Sequence, residues 1–277
     1  MPDAFSYCAD LVRSADRDRF IATLFAPAQY RDALHALYAF NVEIASARDR
    51  TRDPVAGEIR LQWWREIVQG ERSGEAIASP VAASLLDTIE KYGLPTSAIL
   101  TLIEARRFDL YNEPMLTIAE LEDYAIKTSS ALIAMAARIL GVDAVAPARP
   151  AGIAYAMTGL LAALPRHAAR RQLYLPLELL QRHGAVTEDV FAGRSSPSLS
   201  AAAGDLRSLA RGHLAAAQNM LNALPQPALP AFLPIALVRP ALDRMERSDV
   251  LAPGQLSQWR RQWLIWRAAR NANQLAR

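Results

Sequence analysis

The chain predicts an all-α protein, and three observations carry that prediction. Apolar residues recur at helical spacing from one end to the other. Alanine and leucine are abundant while glycine is held to 12 of 277 residues, a composition that favours helix. Runs of β-branched residues bounded by turn residues, the mark of strands, are missing. No internal repeat, long linker or low-complexity block divides the chain, so the economical expectation is one domain over 1–277.

The elements follow in order. Ala28 to Arg50 reads as one long helix, because Leu34, Leu37, Tyr38, Val42 and Ala45 share a face. After a break at Pro54 and Gly57, Ile59 to Gln69 is the next helix. Pro80 to Tyr92 ends at the stop signal Gly93. Thr96 to Leu110 starts on a Thr cap after Pro95. Thr117 to Leu140 carries the capping box Thr117-Ile118-Ala119-Glu120 and stops at Gly141. Pro150 to Ala163 is almost wholly apolar and reads as a buried central helix. Leu177 to His183 is a short helix stopped by Gly184, and Arg194 to Pro197 a polar loop. Leu199 to Leu224 is long and weakened by Gly204 and Gly212. Pro225, Pro227, Pro230, Pro234 and Pro240 punctuate a kinked stretch of short helices. Gln255 to Arg277 is helical and basic.

Composition narrows the function classes. A net charge of +3 is slight, and no nucleic-acid module is present, which argues against nucleic-acid binding. Lys91 and Lys127 are the only lysines, so the cations are almost all arginine. A GC-rich genome gives the same bias, yet arginine also suits diphosphates and anionic headgroups through bidentate hydrogen bonds. Cys8 stands alone, which excludes an intrachain disulfide and a cysteine zinc site. The N-terminal residues lack the basic and apolar blocks of a signal peptide. The uncharged, almost wholly apolar stretch Pro150 to Pro165 is shorter than the roughly 20 residues that span a bilayer. A cytoplasmic protein, or one peripheral at the inner membrane of a bacterium, is the expectation.

Two stretches carry the chemistry. The first is Leu37-Tyr38-Ala39-Phe40-Asn41-Val42-Glu43-Ile44-Ala45-Ser46-Ala47-Arg48-Asp49; the second runs from Gly152 to Pro176. Both resemble the signatures of the squalene/phytoene synthase family, and the resemblance runs from Ser6 to Ser248. It implies an isoprenoid synthase fold, a helical bundle around a central apolar cavity. Family members join two prenyl diphosphates, with Mg²⁺ held by aspartates on two helices; aspartates at i and i+4 share one helix face. Counting from Tyr38, the family's aspartate positions are Ala45, Ser46 and Asp49, of which only Asp49 is acidic. In the second tract Gly152-Ile153-Ala154, Thr158, Arg170 and Tyr174-Leu175-Pro176 match. The positions of the family's glutamine, asparagine and arginine hold Ala156, Gly159 and Ala162, the metal-binding aspartates are replaced by Ala163 and His167, and Arg166 takes an acidic position. Pro165 interrupts the helix there. Glu43 is a new carboxylate, but it points about 200° from Ala45 and does not rebuild the lost site.

A closer resemblance is to a divergent branch of that family, the one that contains the mitochondrial complex I assembly factor built on this fold. It rests on Leu37 to Glu43, Ile59-Arg60-Leu61-Gln62-Trp63-Trp64-Arg65, Leu121 to Ala125 with Thr128-Ser129-Ser130, and Pro165-Arg166-His167 before Arg170 and Arg171. It implies a non-catalytic protein that binds a lipid, an isoprenoid or a protein partner and supports assembly of respiratory complex I. No cofactor is expected; Mg²⁺ belongs only to the alternative, a prenyltransferase condensing two prenyl diphosphates. A second alternative is a peripheral lipid-binding protein.

The candidate ligand-binding residues on this resemblance are Tyr38, Phe40, Ala45, Asp49, Trp64, Tyr155, Gly159, Ala163, Arg166, His167, Arg170, Arg171 and Tyr174. Each has a plainer reading. Tyr38 and Phe40 are core aromatics as readily as pocket lining. Of the adjacent Trp63 and Trp64, one is core and the other lines the cavity. Asp49 is a residual metal ligand or a helix-end carboxylate paired with Arg48 or Arg52. His167 serves an anion site or sits as a satisfied core group, and no second histidine lies at ligand spacing for zinc. Arg170 and Arg171 flank a pocket mouth or are surface charge. In the tail, Trp259, Trp263 and Trp266 form one stripe among Arg260, Arg261, Arg267 and Arg270. That stripe suits a helix lying on a membrane or a partner; packing on its own domain is the favoured alternative.

Overall fold

Capping and small-residue packing account for where the helices begin, end and approach one another. The computed structural model describes residues 4–49 and 53–270, and every regular element among them is helical. The chain divides into two compact units, each discontinuous in sequence.

The first unit comprises Met1–Tyr111, Ala131–Val145 and Leu224–Leu233. Its centre is the helix Ala28–Ala45, buried along Ala33, Leu34, Ala36, Leu37, Tyr38, Phe40 and Ile44. Helices Ala4–Ala15, Pro80–Tyr92 and Ala131–Ile139 pack against it. It ends at Ala45, short of Arg50, because the backbone turns through Ser46 and Arg48 is drawn away: its Nη1 donates to the carbonyls of Asp109, Leu110 and Tyr111 at 3.3, 2.9 and 3.2 Å. Arg50 and Arg52 lie outside the described residues. The next helix is Pro54–Gln69, not Ile59 to Gln69. Pro54 is in its first turn, where a missing N–H costs nothing, and the Asp53 carboxylate accepts from Val55 N at 2.9 Å. Gly57 is inside this helix rather than a break, because the Leu110 side chain lies over it. Short helices Arg17–Thr23 and Ser73–Ala78 join the unit. Helix Thr96–Ala105 tightens into a 3₁₀ turn, Arg106–Leu110, and its N-terminus has Pro95 at the cap with no side-chain hydrogen bond, so Thr96 does not cap it.

The second unit comprises Asn112–Ser130, Ala146–Ala223 and Pro234–Arg277. Thr117 caps helix Ile118–Ala125 through Glu120 N at 3.1 Å, while the Glu120 carboxylate reaches one residue further back, to Leu116 N at 2.8 Å. A π turn, Ile126–Ser130, follows without a break. The helix predicted from Pro150 begins earlier, as Val145–Ala162, with Pro150 in its interior. Proline there removes the bond to the carbonyl four residues back, a cost met by burial on nearly every side: Ala148, Ala151, Gly152, Ile153, Ala154, Ala156, Met157, Thr158 and Leu161 are all buried. A β-carbon on Gly152 would stand 2.3 Å from Ser130 N, so glycine lets this helix touch the backbone of the π turn. The Ser130 hydroxyl donates to Arg149 O at 2.8 Å across the same contact. Ala163 turns the chain, and helix Leu164–Ala168 starts afresh with Pro165 in its first turn. Leu177–Arg182, Thr187–Phe191, Pro197–Leu221, Val238–Glu246 and Gln258–Arg270 complete the unit. Among the described residues no helix is long and apolar enough to cross a membrane.

Candidate functional site

In the first tract the aromatic residues form core. Phe40 is fully buried and meets the Trp64 ring edge-on at 5.0 Å between centroids, and Trp64 itself is 1% exposed. Trp64 is therefore a packed aromatic of its unit. Its neighbour Trp63 is half-buried and donates from Nε1 to Glu75 Oε2 at 2.8 Å. Tyr38 is buried, with the Arg19 guanidinium 5.6 Å from its ring centre.

The polar residues of the tract are held by arginines. Glu43 is buried and forms an ion pair with Arg60 of helix Pro54–Gln69. Asn41 is buried, and its Oδ1 accepts from Arg106 Nη2 at 3.3 Å; Arg106 also binds Asp109 at 3.1 Å. The Asn41-Val42-Glu43 and Ile59-to-Arg65 signatures thus belong to one packed patch, with Phe40 on Trp64 and Glu43 on Arg60. Arg106 and Asp109 belong to no motif of the sequence; a buried Asn and Glu that demand cationic partners are the signal that points to Arg106, and Asp109 follows as its counter-charge. Ala45 is half-buried and Asp49 exposed.

In the second tract, Tyr155 and Gly159 lie on helix Val145–Ala162, Ala163 at the turn after it and Arg166 on the next short helix, and all four are half-buried to exposed. A β-carbon at Gly159 would meet nothing within 4 Å. His167 is buried, its ring 4.6 Å from that of Tyr174, which in turn lies 5.9 Å from Tyr124. The backbone fixes this turn: His167 N donates to Ala163 O at 2.9 Å, and His167 O accepts from Arg170 N and Gln172 N, each at 2.9 Å. Arg166 and Arg170 are exposed. Arg171 is committed elsewhere. Its guanidinium binds both Glu188 oxygens at 2.9 and 3.0 Å and sits 4.7 Å over the Phe191 ring. Those hydrogen bonds hold the Glu188 carboxyl below its usual range. Arg171 is thus paired at the surface, the plainer of its two readings. Its φ of 55° places the backbone in the left-handed region, which turns the chain into the segment that follows. That segment is anchored by Met115 N donating to Leu173 O, and Leu177 N to Met115 O, both at 2.9 Å.

These tracts do not suit a divalent cation. Mg²⁺ takes oxygen ligands, carboxylates above all. At the motif positions stand the methyl groups of Ala45 and Ala163, the hydroxyl of Ser46, the imidazole of His167 and a single carboxylate, that of Asp49, while Glu43 is paired with Arg60. Among the described residues, no three His, Cys, Asp or Glu side chains come together in a way that would hold a metal.

Comparison with known proteins supplies the frame for these two tracts. The squalene/phytoene synthase model matches residues 12–267. The chain is 31% identical over 252 residues to "NADH dehydrogenase (ubiquinone) complex I, assembly factor 6" of Rattus norvegicus, covering 90% of this chain and 76% of the rat protein. It is 24% identical over 206 residues to the 15-cis-phytoene synthase of Synechocystis sp., covering 69% and 61%. A crystal structure of a dehydrosqualene synthase superimposes with a TM-score of 0.84 at 18% identity, over 97% of this chain and 96% of that one. At that identity the likeness establishes the isoprenoid synthase fold, and the family match extends through both tracts, in which Asp49 is the one family aspartate kept. By sequence and by fold, the chain belongs to the squalene/phytoene synthase family.

Proposed function

We propose that this protein supports assembly of respiratory complex I and does not condense prenyl diphosphates. One observation carries the reading. The similarity to the complex I assembly factor spans 90% of the chain, and within it three of the four core aspartate positions hold Ala45, Ala163 and His167, leaving Asp49 alone. A framework kept whole while its ligands are lost fits a protein valued for binding. The fold suits an apolar ligand, an isoprenoid or another lipid; a complex I subunit or a second assembly protein is the proposed protein partner. The exposed Arg166 and Arg170 would meet an anionic head group by charge-assisted hydrogen bonds.

Deleting the gene in its host and measuring assembled complex I tests this directly. The expected result is a loss of assembled complex and of NADH-linked quinone reduction, restored by the wild-type gene. Unchanged complex I content in the deletion strain overturns it.

The second reading, a prenyltransferase, draws support from the likeness to phytoene synthase and from Asp49. The two readings part on Mg²⁺. Condensation ionises an allylic diphosphate, whose charge the metal neutralises as a Lewis acid. Without ligands for it most of that stabilisation is lost.

A further inference from the structure

The helix Gln258–Arg270 is turned with its largest apolar side chains outward. Ile265 and Ala268 are its buried positions. Trp259, Trp263 and Trp266 are 82%, 51% and 43% exposed. Spacing by four and three puts them on one stripe. Arg260, Arg267 and Arg270 are exposed beside them. The arginines and indoles are paired: Arg267 lies 5.2 Å from the Trp263 ring centre and Arg270 4.4 Å from that of Trp266. Asp249 is the last acidic residue of the chain, so no carboxylate on this helix offsets the cations. The helix thus buries Ile265 and Ala268 and leaves both the tryptophan stripe and the arginines outward.

A surface of this kind is costly in water, since three indoles are left wet. It matches the boundary of a bilayer. Indole places an apolar body in the acyl region and an N–H at the head groups, and arginine binds phosphate there. An acidic protein face would meet the same charge, but the bilayer boundary takes both the exposed indoles and the arginines along one stripe. We infer that this face docks on a membrane rich in anionic phospholipid, with Trp259, Trp263 and Trp266 entering the head-group layer and Arg260, Arg267 and Arg270 binding the phosphates. The inference deepens the proposed function by placing the protein at the membrane where complex I is built.

Vesicle binding tests it with the full chain. The protein should co-sediment with phosphatidylglycerol-containing vesicles and not with pure phosphatidylcholine, and brominated lipids should quench its tryptophan emission. Replacing Arg267→Gln and Arg270→Gln together should weaken anionic-vesicle binding by roughly tenfold or more. Trp259→Ala, Trp263→Ala and Trp266→Ala together should abolish the quenching, because the remaining Trp64 is buried and Trp63 is bonded to Glu75. All the replaced side chains are exposed, so both variants should keep the wild-type circular dichroism and thermal midpoint. Failure to bind anionic vesicles at low salt overturns the inference, as does binding that both variants leave intact. If the variants lower complex I content while the wild type ignores vesicles, the face docks on protein and the membrane inference falls. The vesicles carry no complex I, so this outcome and that of the deletion strain are read independently.

Discussion

A β-carbon at Gly152 would crowd the Ser130 backbone to 2.3 Å, and one at Gly159, a turn or two further along the same helix, would meet nothing within 4 Å. The two glycines therefore respond to alanine in opposite senses. Gly152→Ala should destabilise the protein by about 1–3 kcal/mol through overpacking against a backbone that has little freedom to withdraw. Gly159→Ala should be neutral or stabilise by about 0.5–1 kcal/mol, the ordinary gain of alanine over glycine inside a helix. Urea unfolding of both variants checks the pair. Gly152 was legible in the sequence as a motif residue, but its reason was not: it lies in the contact with Ser130, in another signature tract. His167 is likewise readable only as an aspartate lost. That its ring packs on Tyr174 is a fact of the turn that brings the chain back through Leu173.

At the level of elements, the helix Ala28–Ala45 and its partner Pro54–Gln69 are locked by Glu43 and Arg60. Glu43 is buried while about a third of the Arg60 side chain meets solvent, so the pair is only partly desolvated. Glu43→Ala should cost about 1–3 kcal/mol, because it strips a charged partner from a half-buried guanidinium. In a double-mutant cycle with Arg60→Ala the coupling should reach about 1 kcal/mol, well above the additivity expected of distant sites. Chemical denaturation of the two single variants and the double variant supplies the cycle. Much of the element order was legible: Pro80–Tyr92 was located to the residue, with Gly93 as its stop signal. What escaped has local causes. Pro54 and Gly57 signal breaks, yet one sits where proline is tolerated and the other is needed by Leu110. Pro150 lies inside a helix because burial outweighs the lost hydrogen bond. Helices Ala4–Ala15 and Arg17–Thr23 were passed over: Asp16, which caps the second of them, is a start signal that was available. Ser73–Ala78 and Thr187–Phe191 are too short for periodicity to declare them. The π turn depends on the helix packed against it, and no local pattern announces it.

For the whole molecule, the family's fold is kept while three of its four core aspartate positions hold no carboxylate. The arrangement of helices follows the isoprenoid synthases over nearly the full chain, and that much was legible because the residues that shape the second tract, Gly152, Pro176 and Tyr174, are retained. The losses at Ala45, Ala163 and His167 were equally legible, since a missing carboxylate is visible without coordinates. The committed roles of the remaining polar groups needed the structure: Arg171 belongs to Glu188, Glu43 to Arg60 and Asn41 to Arg106. The outward turn of the tryptophan stripe was open in the sequence too, because a helical wheel shows which residues share a face and not which face is turned to solvent. The account stands or falls on whether Mg²⁺ can be put to work by this chain. Incubation of the purified protein at high concentration with farnesyl or geranylgeranyl diphosphate, with and without Mg²⁺, followed by hydrocarbon extraction, measures that. The account predicts no squalene-type or phytoene-type product in either condition; a Mg²⁺-dependent, enzyme-dependent product would contradict it.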